Sequence, residues 1–262
     1  MTPAERVGSL RSRHLVSLFG RYMCRYARRR FHAVRLSGSL PDLPEARPAI
    51  VYSNHPGWWD PAMFMVLATS CFPERRGYGP MAADALARYR FMERIGIFGI
   101  GPGTAGARRF LTVCRGLLED PRTMLWITAE GEFRDPRVRP VRLRPGLAHL
   151  AAGSPSAMIV PLAIEYPFWT ERTPEALLRF GDPVGPVDGG ARSVDAWSGR
   201  LAARLEATMD ALAADAVARD PQRLRTLIEG AAGVGGVYDL WRRAAAGITG
   251  RPWRAEHGGD AP

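Results

Sequence analysis

His55 and Asp60 carry the strongest chemical signal in the chain, in the run Ser53-Asn54-His55-Pro56-Gly57-Trp58-Trp59-Asp60. An imidazole beside a carboxylate can serve as a general base with its orienter: the carboxylate fixes one ring nitrogen as N–H, and the other takes a proton from a substrate. On an ideal helix the step from 55 to 60 would place the two side chains roughly 140° apart, so the pairing requires a tight turn. Pro56 and Gly57 are residues that make one. The chain has no Gly-x-Ser-x-Gly run, so a triad nucleophile is missing and the base is expected to act on a hydroxyl of the substrate itself. A histidine and an aspartate this close also commonly form a plain structural hydrogen bond, and spacing alone leaves both roles open.

These residues need a scaffold. From Pro41 onward the sequence reads as strands alternating with helices, the pattern of an α/β domain. Residues 49–53 form a short apolar strand that opens into the His55 loop, and Pro61 suits the first turn of a helix running to about Ser70. A helix is expected over 82–94, a glycine-rich turn over 96–103 and another helix from about Ala105 to Glu119. Further strands are expected at 123–128 and 157–165. Pro161 in the last of these implies an edge position or an irregularity. A helix over roughly 194–219, with Leu201, Leu205, Met209 and Leu212 at helical spacing, is followed after Pro221 by a shorter helical stretch. The expected fold is therefore a mixed, mostly parallel central sheet flanked by helices, with an N-terminal amphipathic helix and C-terminal helices. Its parts are a basic arm (1–35), the main domain (36–190), a helical extension packed on it (191–249) and a disordered tail (250–262).

The arm holds nine arginines and one glutamate, so most of the formal charge of +10 resides there. Leu15, Leu18, Phe19, Tyr22, Met23 and Tyr26 share one helical face, with His14, Ser17, Arg21, Arg25 and Arg28 opposite. Such a helix suits an anionic membrane surface, and its stripe equally suits docking on the domain's own core. Nucleic acid is a third partner for a basic arm, but no helix-turn-helix, zinc or RNA-binding pattern accompanies it, and no nucleic acid is expected. All 36 basic residues are arginine. A Schiff-base lysine and a Lys-bearing phosphate loop are thereby excluded. Cys24, Cys71 and Cys114 are odd in number and widely spaced, which suits a reducing compartment and offers neither a disulfide framework nor zinc spacing. No apolar run reaches the roughly 18 residues of a spanning helix. The expected location is peripheral, on the cytoplasmic face of a membrane.

Asn54 to Asp60 resembles the N-H-x-x-x-x-D block of the glycerolipid acyltransferases, the superfamily of glycerol-3-phosphate and lysophosphatidic acid acyltransferases. Gly96-Ile97-Phe98-Gly99-Ile100, Glu130-Gly131 and Val160-Pro161-Leu162-Ala163-Ile164 are similar to that family's second, third and fourth blocks, in the family's order. Arg144-Pro145-Gly146 falls where the family has a basic residue and glycine opening a helix. The resemblance spans about residues 35–185. It implies transfer of a fatty acyl group from acyl-CoA or acyl-carrier protein to a hydroxyl of a lipid acceptor, with no bound cofactor or metal. His55 would be the base and Asp60 its orienter. Glu130 and Gly131 would contribute to substrate binding, and Asn54 would join them or serve as a structural turn residue that orients the loop.

Two departures bear on the acceptor. The family's Glu-Gly-Thr-Arg third block reads Glu130-Gly131-Glu132-Phe133-Arg134 here, so Phe133 stands at the arginine position. The second-block arginine corresponds to about Pro102. An arginine fork holds phosphate far better than a neutral side chain. The acceptor is thus expected to be non-phosphorylated, unless Arg108, Arg109 and Arg134 bind phosphate in their place; Arg144 is also expected to bind substrate. Arg137, Arg139, Arg142 and Arg144 form a second basic cluster, which suits the phosphates of CoA, the acidic face of a carrier protein or the membrane. A thioester or ester hydrolase, and a catalytically degenerate lipid-binding protein, remain alternative readings. Trp58 and Trp59 are expected mainly to pack the loop down.

Overall fold

The computed structural model describes residues 1–184 and 193–230. Its strands are β1 (Ala33–Ser37), β2 (Ala49–Ser53), β3 (Arg76–Ala82), β4 (Ile97–Ile100), β5 (Thr123–Thr128), β6 (Met158–Glu165), β7 (Glu175–Phe180) and β8 (Leu224–Glu229). Its helices are α1 (Pro3–Leu10), α2 (Arg13–Arg30), α3 (Asp60–Ser70), α4 (Ala83–Arg88), α5 (Gly103–Leu117), α6 (Pro145–Ala152) and α7 (Val194–Ala218). The strands form one sheet in the order β4-β3-β5-β2-β6-β7-β1-β8. All neighbours run parallel except β6 with β7 and β1 with β8, so the sheet is mixed and mostly parallel, as expected.

Both faces are covered, which explains why β2 is apolar without alternation: every one of its residues is buried. Ile50 and Tyr52 pack into the layer made by α1, α5, α6 and α7, whereas Ala49 and Val51 pack into the layer made by α2 and α3. Gly20 lets α2 lie close on α3, because a Cβ there would overlap the Thr69 side chain.

The expected strands at 49–53, 123–128 and 157–165 are present, and α3 opens at Asp60 with Pro61 in its first turn. Several expectations are corrected. The glycine-rich stretch 96–103 contains β4, and the helix expected over 82–94 is divided into α4 and a 3-10 turn at Arg90–Ile95. The stretch after Pro221 is a short 3-10 turn followed by β8, which pairs with β1. Pro161 lies inside the sheet and not at its edge. The irregularity it implies is present: the β6–β7 ladder begins at Leu162↔Phe180, beyond Pro161, and an isolated bridge joins Ile159 to Val184. The tail at 250–262 and residues 231–249 of the expected extension lie outside the described residues.

The arm's helix divides its apolar stripe. Gly20, Met23 and Ala27 are buried, while Leu18 and Tyr22 are 63% and 56% exposed. The opposite polar face, from His14 to Arg28, is exposed as expected. No helix among the described residues is long and apolar enough to cross a membrane.

Candidate active site

In a parallel sheet, ligands gather beyond the carboxyl ends of the strands. β2 ends at Ser53, and Asn54 continues it with a side chain. The Asn54 amide donates to the Ile164 carbonyl at 2.9 Å, and its Oδ1 accepts the Ile164 N–H at 2.9 Å. This buried pair adds a rung to the β2–β6 ladder at the point where the main chain leaves it. Asn54 thus directs its polar atoms inward, as a turn residue, and not towards a ligand.

The chain then turns as Pro56 and Gly57 suggested. The Asp60 N–H donates to the Gly57 carbonyl at 3.3 Å, and the Gly57 N–H donates to Asp60 Oδ2 at 3.2 Å. His55 Nδ1 lies 2.5 Å from the same Oδ2. Asp60 is the first residue of α3 and has no solvent exposure, so the positive end of the helix reinforces its donors. Asp60 Oδ1 accepts a hydrogen bond of 2.7 Å from the Tyr166 hydroxyl. With Nδ1 engaged by a carboxylate, Nε2 of His55 is the ring nitrogen whose lone pair is available.

His55 is held through its main chain as well. Its N–H donates to Glu130 Oε2 at 3.0 Å, and its carbonyl accepts the Arg134 N–H at 2.9 Å. Both partners belong to the loop after β5. Glu130 is 5% exposed, and burial raises its carboxyl above the usual range while the His55 N–H acts against that rise. This glutamate supports the main chain of His55 through Oε2. Gly131 adopts φ = +70°, which glycine accommodates, and Arg144 lies against it. Arg144 caps α6 as the sequence suggested, and its Nε donates to the Glu130 carbonyl at 3.3 Å.

Phe133, 61% exposed, covers the imidazole with ring centroids 4.5 Å apart. The neighbouring arginines meet acidic groups of the chain itself. Arg134 donates to Glu132 at 2.6 Å, Arg137 to Asp135 at 2.6 Å and Arg139 to Asp210 at 2.6 Å. Arg108 and Arg109 are exposed on α5, behind β4, and Arg109 donates to the Gly99 carbonyl at 3.2 Å. β4 stands three places from β2 in the sheet. Trp59 packs between Tyr26 and Phe31, whereas Trp58 is 67% exposed and only edges onto Trp59. Among the described residues, no group of three or more His, Cys, Asp or Glu is arranged to hold a metal ion.

The protein-family model described as Acyltransferase matches residues 37–165, from the end of β1 to the end of β6, and so includes His55, Asp60 and Glu130. A search of the curated proteins finds no match. Among solved structures, the chain is similar to the crystal structure of the 1-acyl-sn-glycerophosphate (LPA) acyltransferase PlsC from Thermotoga maritima. That likeness has a TM-score of 0.53 and 16% identity, over 77% of this chain and 80% of that one. At that identity it speaks for the fold.

Proposed function

From the match of the Acyltransferase family model to residues 37–165, we propose that the chain moves a fatty acyl group from the thioester of acyl-CoA or acyl-carrier protein to a hydroxyl of a non-phosphorylated lipid. The observation that carries this reading is the buried Asp60 carboxylate on His55 Nδ1, which leaves Nε2 free at the carboxyl end of β2. Nε2 takes the proton of the acceptor hydroxyl as its oxygen attacks the thioester carbonyl. The tetrahedral adduct then expels the thiolate, which receives that proton from the imidazolium. The enzyme forms no covalent bond to the acyl group. Asp60 holds the ring and stabilises its transient positive charge.

The acceptor reading rests on Phe133 and on the arginines around it. A flat apolar ring lies on the imidazole where the family's third block has an arginine, and Arg134, Arg137 and Arg139 already face carboxylates of the chain. A phosphate head group would have to displace those partners.

The same reading places the enzyme peripherally at the cytoplasmic face of a membrane. Leu18 and Tyr22 stand exposed beside Arg21 and Arg25, and exposed Phe91 is packed edge-on to Phe19 of the same helix. Apolar side chains flanked by arginines suit an anionic bilayer surface.

The test is to incubate the purified protein and its His55→Ala variant with radiolabelled acyl-CoA and a total lipid extract, and to identify the labelled product. An acylated neutral lipid, formed by the wild type and not by the variant, is expected. Labelled free fatty acid alone would identify a hydrolase. Equal turnover by a folded His55→Ala variant would remove the base from the mechanism.

A further inference from the structure

Tyr166 immediately follows β6, far in sequence from the His55 loop, and its hydroxyl donates to the Oδ1 of Asp60 at 2.7 Å. Asp60 is fully enclosed, so bulk solvent does not reach its carboxylate. Among the described residues its donors are three: His55 Nδ1 and the Gly57 N–H on Oδ2, and the Tyr166 hydroxyl on Oδ1. Tyr166 is the only one that engages the second oxygen.

The ring that delivers this hydroxyl packs against Phe31, just past the end of α2, with centroids 5.6 Å apart. Phe31 also meets Trp59 edge-on at 4.8 Å, and Trp59 directly precedes Asp60. Burial, together with the adjacent carboxylate, keeps the phenol well above its usual pKa range, so it stays protonated and remains a donor. Two other polar clusters, Ser37 with Arg179 and Asp215, and His32 with Arg35 and Glu175, are satisfied among their own members and join elements of the scaffold. The Tyr166 hydrogen bond ends instead on the group that orients His55.

We propose that Tyr166 is a positioning residue for acyl transfer, whose hydroxyl fixes the Asp60 carboxylate against His55 and limits how strongly that carboxylate draws on the imidazole. This rests on His55 being the base. A donor on Oδ1 withdraws electron density from the whole carboxylate. Without it, Oδ2 becomes a stronger acceptor for the Nδ1–H, and a protonated ring is favoured to higher pH. A protonated ring cannot remove the acceptor's proton. Tyr166 therefore limits the pull of the carboxylate on the ring, and its removal also loosens the carboxylate's orientation.

The test uses the full chain with Tyr166→Phe, which keeps the ring packed on Phe31 and deletes only the hydroxyl. With palmitoyl-CoA as donor and a total lipid extract as acceptor, the acid limb of the rate profile is expected to move up by about 0.5 to 1 pH unit. The kcat should fall about tenfold with KM for palmitoyl-CoA unchanged, since orientation and not binding is lost. Site-specific 3-fluorotyrosine at 166 keeps the ring and strengthens the donor, so the limb should move down. A role in packing alone would move neither limb.

A substrate-free arm separates this inference from the functional reading. The low-field proton resonance of the His55 Nδ1–H is expected farther downfield in Tyr166→Phe than in the wild type, and less far downfield with 3-fluorotyrosine. If the acid limb and the resonance hold their wild-type positions in both folded proteins, Tyr166 has no part in tuning the pair. If His55→Ala retains full turnover while the resonance responds as expected, the hydrogen-bond chain is real and the base assignment is what fails. If Tyr166→Phe does not fold, the 3-fluorotyrosine protein decides: an unmoved limb and resonance there overturn the inference.

Discussion

The Phe133 ring lies on the His55 imidazole at 4.5 Å between centroids, with the two planes inclined by 56°. If His55 meets the acceptor hydroxyl as proposed, this ring lies where it would meet whatever the acceptor carries next to that hydroxyl. Phe133→Arg exchanges the apolar ring for a fork of N–H donors. The ratio of kcat/KM for lysophosphatidic acid to that for a monoacylglycerol is expected to rise by about tenfold, equivalent to one charged hydrogen bond of roughly 1.5 kcal/mol. Steady-state kinetics with both acceptors measure it. An unchanged ratio would mean that the ring does not select the head group.

Glu130 is expected to matter through its oxygen and not its charge. Glu130→Ala leaves the His55 N–H without its partner, which costs about 1–3 kcal/mol of stability and misplaces the base. Glu130→Gln retains an acceptor oxygen and should remain close to wild type in both respects. Denaturant unfolding and turnover of the two variants make the comparison. Equal loss in both would point to the carboxylate's charge instead.

The two sides of α2 should respond to mutation differently. Leu18→Ser with Tyr22→Ser is expected to weaken sedimentation with phosphatidylglycerol-containing vesicles and to leave the melting temperature unchanged, since both side chains are exposed. Met23→Ala, on the buried side, is expected to cost about 2–5 kcal/mol of stability. Undiminished vesicle binding by the double variant would rule out this face as the membrane contact.

A pH-dependent contribution to stability is expected where β1 meets β7. His32 Nδ1 lies 2.5 Å from Glu175, whose hydrogen bond raises the histidine's pKa, while burial acts in the opposite direction. The folded chain thus keeps this proton to higher pH than the unfolded chain does. The stabilisation is complete below the ordinary imidazole value of about 6.5, and is lost as pH rises through the raised value. Between about pH 6 and pH 9 the wild-type melting temperature should fall relative to that of His32→Gln. Parallel curves for the two proteins would mean that the pair is not linked to this proton.

The parts of the molecule legible in the sequence are those encoded locally. β2, β5 and β6 are unbroken apolar runs, Pro61 marks the start of α3, and Pro56-Gly57 marks the turn that brings His55 to Asp60. The strands that escaped depend on distant partners. β3 reads Arg-Gly-Tyr-Gly-Pro-Met-Ala, with no alternation to signal it, and it is extended because β5 and β4 flank it. In β8, Leu224, Leu227 and Ile228 fit a helical spacing, but the free edge of β1 draws the segment into the sheet. Tyr166 was equally hidden: it lies beyond the fourth block and reaches Asp60 only through the fold. Asn54 reads as a turn residue in the sequence, but its partner Ile164, and the support that Glu130 gives the His55 N–H, could be seen only in three dimensions.

β8 also bears on self-association. Its pairing with β1 occupies the backbone donors and acceptors along one margin of the sheet, and its own outer side carries exposed Arg225, Thr226 and Glu229. Charges on a terminal strand discourage a second chain from adding in register. A chain cut before Leu224 would instead offer β1, with buried Val34 and Leu36, as an uncovered template. Its first failure would be strand-to-strand aggregation, well before any change at His55.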